Sequence, residues 1–219
     1  MSKTICISGG IGSGKSVVCH AHRTNGHPVF DTDTEARRIM DGDPAIARLI
    51  AERISPECIK ADGSIHRPTL ASIVFADAEK LETLNSIVHE AVRRDLASWV
   101  ERHSEGGTVF VETAILYQSG LDRMVDEVWE VTAPAETRIE RVMARNSLTR
   151  DEVKARIRSQ QLPADTILHP RTLEIPHANL TPLLPSLFTS FHPSSNPSIH
   201  PLIHPSIHKS LHPSIQPPN

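Results

Sequence analysis

Eight residues, Gly9-Gly10-Ile11-Gly12-Ser13-Gly14-Lys15-Ser16, constrain this chain more than any other stretch. They fit G-x-x-x-x-G-K-[ST], the phosphate-cradling P-loop pattern, which requires a strand before it and a helix after it. Thr4-Ile5-Cys6-Ile7-Ser8 reads as a short buried strand, and Ser16-Val17-Val18 opens a helix. Glycines let backbone N–H groups turn inward around phosphate oxygens, where a Cβ would obstruct them. The helix N-terminus adds partial positive charge. Gly10 to Ser16 thus form a candidate nucleotide cradle: Lys15 can reach the β- and γ-phosphates, and the Ser16 hydroxyl can ligate Mg²⁺. A glycine-rich turn that only joins strand to helix is the plainer alternative; the strand before and the helix after favour phosphate binding.

Downstream, Pro28-Val29-Phe30-Asp31-Thr32-Asp33 reads as a second short strand with an acidic tip. Ligands of open parallel sheets gather at the carboxyl ends of strands, so Asp31 and Asp33 point to the crevice of the P-loop. Asp33 suits a general base for a hydroxyl acceptor or a water-mediated Mg²⁺ partner. It also suits the cap of a helix starting at Thr34. Residues 34–104 read as a helical insertion. Asp43-Pro44 starts one helix, with Ile46, Leu49, Ile50 and Ile54 as its apolar stripe. Asp62-Gly63 marks a turn, and Arg67 to Phe75 a short helix. Asp77 caps a long helix whose apolar face is Leu81, Leu84, Val88, Val92, Leu96 and Trp99.

Thr108 to Thr113 is the third expected strand, with Glu112 at its carboxyl end, and Glu127 to Thr132 is the fourth. The apolar loop Ala114 to Leu121 between them suits either an acceptor pocket or a core plug. Two helices follow, the second opened by the capping box Thr149-Arg150-Asp151-Glu152. Their arginines, at 138, 141, 145, 150, 156 and 158, suit a lid over transferring phosphate. Exposed Glu–Arg pairing is the default for most of them. Arg141 and Arg145, four residues apart on one face, are the favoured phosphate contacts.

A net charge of -3 gives no general reason to expect nucleic acid or an anionic membrane as partner. No apolar run is long enough to span a bilayer, and the strand at the N-terminus leaves no room for a signal peptide. Cys6, Cys19 and Cys58 show no metal-ligand or disulfide framework, which fits a reducing, cytoplasmic setting.

The order of these parts resembles the dephospho-CoA kinase family over residues 3 to about 160. The resemblance runs through Gly9 to Ser16, Asp31-Thr32-Asp33-Thr34-Glu35-Ala36-Arg37, Asp62-Gly63, Arg67, Leu70 and Phe75. It continues through Leu84-Asn85, His89, Leu116-Tyr117 and Arg141 to Arg145. It implies an α/β, three-layer P-loop kinase fold with a five-stranded parallel sheet and a helical acceptor-binding insertion. It implies ATP-dependent phosphorylation of the ribose 3′-hydroxyl of dephospho-CoA, with Mg²⁺; a monomer is expected. On this resemblance Asp33 is the catalytic base, Lys15 and Ser16 handle phosphate and Mg²⁺, and Arg141 and Arg145 sit on a lid over residues 138–160. The chain departs from the family at Ala114, Gln118 and Glu90, where Pro, Glu and Pro are usual.

The tail departs further. All ten glycines fall at or before Gly120, while twelve of the 17 prolines follow Gln161. Ser198 to His208 is a four-residue repeat of Ile, His, Pro and Ser, the product of a tetranucleotide repeat read in triplets. Residues 161–219 are therefore expected to be a low-complexity tail reached after a break in reading frame, packing nowhere. The family's fifth strand would then be missing, leaving the fourth at an open edge that invites association. Two other readings follow: a P-loop kinase for another nucleoside or nucleotide, and a truncated product that binds ligand without turnover.

Overall fold

The structure, a computed structural model, describes residues 3–103, 105 and 107–177. Two compact units divide the chain, Met1–Pro182 and Leu183–Asn219, and the second lies wholly outside the described residues. The Ile-His-Pro-Ser repeat falls there.

Five parallel strands form one sheet: β1 Lys3–Ser8, β2 Val29–Asp31, β3 Thr108–Glu112, β4 Glu127–Thr132 and β5 Thr172–Pro176. Their spatial order is β2-β3-β1-β4-β5, so β1 and its P-loop lie at the centre. Parallel strands buried on both faces read as continuous apolar runs. Ile5, Cys6 and Ile7 of β1 and Val109, Phe110 and Val111 of β3 have at most 1 % exposure. Register aligns Asp31 with Glu112 and Glu112 with Ile7, so the acidic strand ends meet the base of the P-loop in one row.

Between β1 and β2 runs α1 Lys15–Thr24, whose Val18, Cys19 and His22 are buried. The insertion comprises α2 Thr32–Gly42, α3 Pro44–Arg53, α4 Arg67–Ala76 and α5 Ala78–His103. Its capping follows the expected chemistry: Asp43 accepts from Ala45 N, and Asp77 from Glu79 N and Lys80 N. One apolar core runs from Phe30 and Val111 of the sheet into Ile46, Ile50, Leu70 and Leu96 of the insertion. In α5 the most buried positions include Ile87 and Ala91 as well as Val92 and Leu96, whereas Leu81, Leu84, Val88 and Trp99 pack at the margin. The apolar face is thus wider than the expected stripe. After β4, α6 Ala135–Asn146 and α7 Arg150–Ser159 form a small helical pair around Ile139, Val142 and Val153. The Thr149/Glu152 capping box opens α7.

The fifth strand corrects the sequence-based boundary at Gln161. Thr172 to Pro176 pairs with β4 through Val128 to Thr132, and His177 N donates to Thr132 O at 2.6 Å to extend the ladder. Ile175 is 3 % exposed and His177 4 %. Residues 161–177 are therefore part of the folded unit, and β4 is not an open edge. Two features hid the strand. It lies at the sheet's rim with only Ile175 buried, so no apolar run marks it. Its flanking prolines also suggest a breaker; Pro176 sits where an edge strand tolerates a missing N–H.

Candidate active site

A cleft of about 860 Å³ opens above the carboxyl ends of the strands. The P-loop supplies its floor, α2 and β3 one end, and α6 and α7 its cover. Gly14, with φ of 105°, precedes α1 in the left-handed region. A Cβ there would stand 2.1 Å from Cδ2 of His177, so both the backbone angle and the space require glycine.

Lys15 folds back on the loop, donating to Gly9 O at 2.6 Å and Gly10 O at 3.5 Å. Burial draws its ammonium below the ordinary lysine value, while Glu112, Asp33 and Glu130 oppose that shift. Ser16 Oγ donates to Glu112 Oε1 at 2.9 Å. Glu112 is further held by Arg23, 3.6 Å away, and its carbonyl accepts from Thr32 Oγ1 at 2.9 Å. A hydroxyl and a carboxylate side by side at the loop's end are hard oxygen ligands of the type Mg²⁺ takes. The residues fit the ion. Glu112 is the partner of Ser16 that spacing alone did not identify; its position at the carboxyl end of a strand beside β1 was the available signal.

The two aspartates divide their work. Asp31, not Asp33, caps α2: its Oδ1 accepts from Asp33 N at 3.1 Å and Thr34 N at 3.2 Å. The helix starts at Thr32, earlier than expected, which puts Asp33 in the first turn. Asp33 is exposed and lines the cleft with Lys15 and Ser16. Its carboxylate is thereby released from capping and available to a ligand.

The lid arginines fall into separate groups. Arg141, Arg145 and Arg156 line the cleft. Arg141 donates to Gly12 O and Ser13 O at 3.3 Å each and to His177 O at 3.2 Å. Arg145 Nε donates to Asn146 Oδ1 at 3.0 Å. Arg138 grips the P-loop from outside, Nε to Ile11 O at 2.9 Å. Gln160 Oε1 accepts from Ile11 N at 2.7 Å and ties the end of α7 to the same residue. Arg150 pairs with Glu136, the exposed ion pair expected of such helices. The loop after β3 is also divided: Leu116 and Leu121 are buried at 1 %, whereas Ala114 faces the cleft.

The three cysteines are free and buried, and burial pushes the Cys6 and Cys19 thiols up. Among the described residues no helix is long and apolar enough to cross a membrane.

The chain is similar to known proteins. The dephospho-CoA kinase family model matches residues 3–169. A dephospho-CoA kinase of Moorella thermoacetica is 39 % identical over 160 residues, covering 71 % of this chain and 75 % of its own. That of Listeria innocua is 36 % identical over 163 residues, covering 73 % and 81 %. The crystal structure of TT1252 from Thermus thermophilus, 37 % identical, superposes with a TM-score of 0.64 over 80 % of this chain and 88 % of its own. Dephospho-CoA kinase from Campylobacter jejuni, at 24 % identity and a TM-score of 0.59, shares the fold. With the match extending over residues 3–169, which are most of the described residues, this chain belongs to the dephospho-CoA kinase family.

Proposed function

We propose that the chain transfers the γ-phosphoryl group of ATP to the ribose 3′-hydroxyl of dephospho-CoA, giving coenzyme A and ADP. The observation that carries this reading is the placement of Asp33. It lines the same cleft as Lys15 and Ser16 while Asp31 takes over the helix cap. Asp33 accepts the hydroxyl proton, the acceptor oxygen forms its bond to the γ-phosphorus, and the bond from that phosphorus to the β,γ-bridging oxygen breaks. Lys15 and Arg145 stabilise charge on the transferring group and on the departing ADP. Arg141 joins them by exchanging its carbonyl partners on the P-loop for phosphate oxygens. Ser16 and Glu112 would hold Mg²⁺, which would supply positive charge to neutralise the phosphates. Gly10, Ile11, Gly12, Ser13 and Gly14 shape the cradle, with amide groups directed at phosphate. The insertion α2–α5 and the loop from Ala114 to Gly120 hold the acceptor.

Free buried cysteines suit a reducing cytoplasm, and we read the enzyme as a monomer. The truncated, inactive alternative rested on a missing fifth strand, and β5 removes that ground. Asp33→Asn tests the assignment: turnover of dephospho-CoA should fall roughly 10²–10⁴-fold with ATP affinity little changed. Undiminished turnover would transfer the base role elsewhere. A panel of nucleosides and nucleotides assayed beside dephospho-CoA tests the acceptor; preference for one of them would replace it.

A further inference from the structure

Helix α1 turns one stripe of side chains towards the end of β3. Ser16, Cys19 and Arg23 stand at i, i+3 and i+7, the spacing of a single helical face. All three reach Glu112. Ser16 Oγ donates to Oε1 at 2.9 Å, the buried Cys19 thiol donates to the same carboxylate, and Arg23 Nη2 lies 3.6 Å from Oε2. Ser16 and Arg23 are about 10 Å apart along the helix axis. Helical side chains lean towards the N-terminus, so the arginine reaches back along α1 to the carboxylate. The two oxygens of Glu112 therefore have different neighbours, a hydroxyl on one side and a guanidinium on the other. Ser16 and Glu112 line the cleft, and Arg23 stands behind them.

Burial gives this pairing its weight. The Glu112 side chain is 11 % exposed and that of Arg23 40 %. A charge covered to that degree is costly without a partner of opposite sign. Asp31 stands in register beside Glu112 and adds negative charge. Lys15 also faces Glu112, but its ammonium is bonded to the carbonyls of Gly9 and Gly10. Arg23 thus compensates Glu112 from the side away from the cleft. A cation in the last turn of a helix is favourable in itself, which accounts for an arginine at this position but not for its reach to Glu112.

We propose that Arg23 is a positioning residue that sets the strength of the metal site: its charge holds Glu112 in place as a ligand and lowers the affinity of that ligand for Mg²⁺. The proposal rests on the reading of Ser16 and Glu112 as the Mg²⁺ site. Two cations sharing one carboxylate repel each other, so the attraction Glu112 offers Mg²⁺ is reduced by the charge of Arg23. Removing that charge should tighten metal binding. Loss of a purely structural support would weaken it, so the sign of the effect separates the two roles.

The test compares the full chain with Arg23→Met, which keeps the stem and loses the charge, and Arg23→Lys, which keeps the charge. Glu112→Gln and the double variant Arg23→Met/Glu112→Gln complete a cycle. Two readouts are taken: the Mg²⁺ concentration for half-maximal turnover, and the Mg²⁺ concentration that half-completes the rise in Tm at fixed, saturating ADP. For a partly exposed charge pair, Arg23→Met should lower both midpoints about threefold to fivefold. Arg23→Lys should stay within about twofold of the parent, and in the Glu112→Gln background Arg23→Met should shift neither midpoint by more than about twofold. If Arg23→Met does not fold, Arg23→Gln, which retains hydrogen-bond donors without charge, carries the same expectation. Unchanged or raised midpoints on loss of the charge overturn the proposal, and so does an equal shift in the Glu112→Gln background, which would trace the effect to the field of the whole loop. When Glu112→Gln itself raises the midpoints, such a failure leaves the metal site standing; when Glu112→Gln leaves them unchanged, the metal reading and this proposal fall together.

Discussion

Replacing Ile175 by alanine asks whether β5 is a structural strand. Ile175 is the buried residue of an otherwise exposed strand, at 3 % exposure. Truncating a buried isoleucine removes its transfer free energy and leaves a cavity, together about 2–5 kcal/mol. Because β5 is a rim strand whose outer neighbours can relax into the gap, the lower half applies, about 2–3 kcal/mol. For a folded unit of this size each kcal/mol moves Tm by about 2–4 °C, so the expected fall is about 4–12 °C. Leu173→Ala is the internal control. The side chain is of equal size in the same strand but already 49 % exposed, so its truncation should cost less than about 1 kcal/mol. Thermal and urea unfolding followed by circular dichroism measure both. A loss at Ile175 no greater than that at Leu173 would refute the packing of β5 on the sheet. It would also restore the view that the fold ends near Gln161.

Two further outcomes bear on the phosphate site. Lys15→Ala should abolish measurable phosphoryl transfer while leaving the unfolding transition near that of the parent, since the side chain acts on phosphate charge; near-parental turnover would refute the P-loop assignment. Glu112→Gln should raise the Mg²⁺ concentration for half-maximal rate about tenfold, because an anionic ligand beside Ser16 becomes neutral, and an unchanged Mg²⁺ dependence would reduce Glu112 to a packing role for Ser16 and Arg23.

The P-loop, the strands β1, β3 and β4 and the capping of α3, α5 and α7 were legible in the sequence because each is a local matter. A Gly-rich turn, an apolar run or an Asp two or three residues ahead of a helical N–H needs no distant partner. The acidic tip was legible in composition but not in role. Asp33 suits a cap as well as a base, and the choice depends on where the chain leaves β2. The register of β2 on β3 places Asp31 beside Glu112 and starts the helix at Thr32.

What the sequence alone determined is thus the phosphate chemistry and the identity of the elements that carry it. Tertiary structure decided which side chains share the cleft. Ser16 and Glu112 are 96 residues apart and meet because β3 pairs with β1. Arg141 reaches Gly12 and His177 because α6 packs over the loop through Val142 and Ile11. The fifth strand was decided there as well. Its own apolar content is too small to announce it, but β4 presents a row of unpaired N–H and C=O groups, and Thr172 to Pro176 satisfies them. Parallel pairing depends on a partner far away in sequence, so a short segment between prolines becomes a strand only when the rest of the sheet is in place.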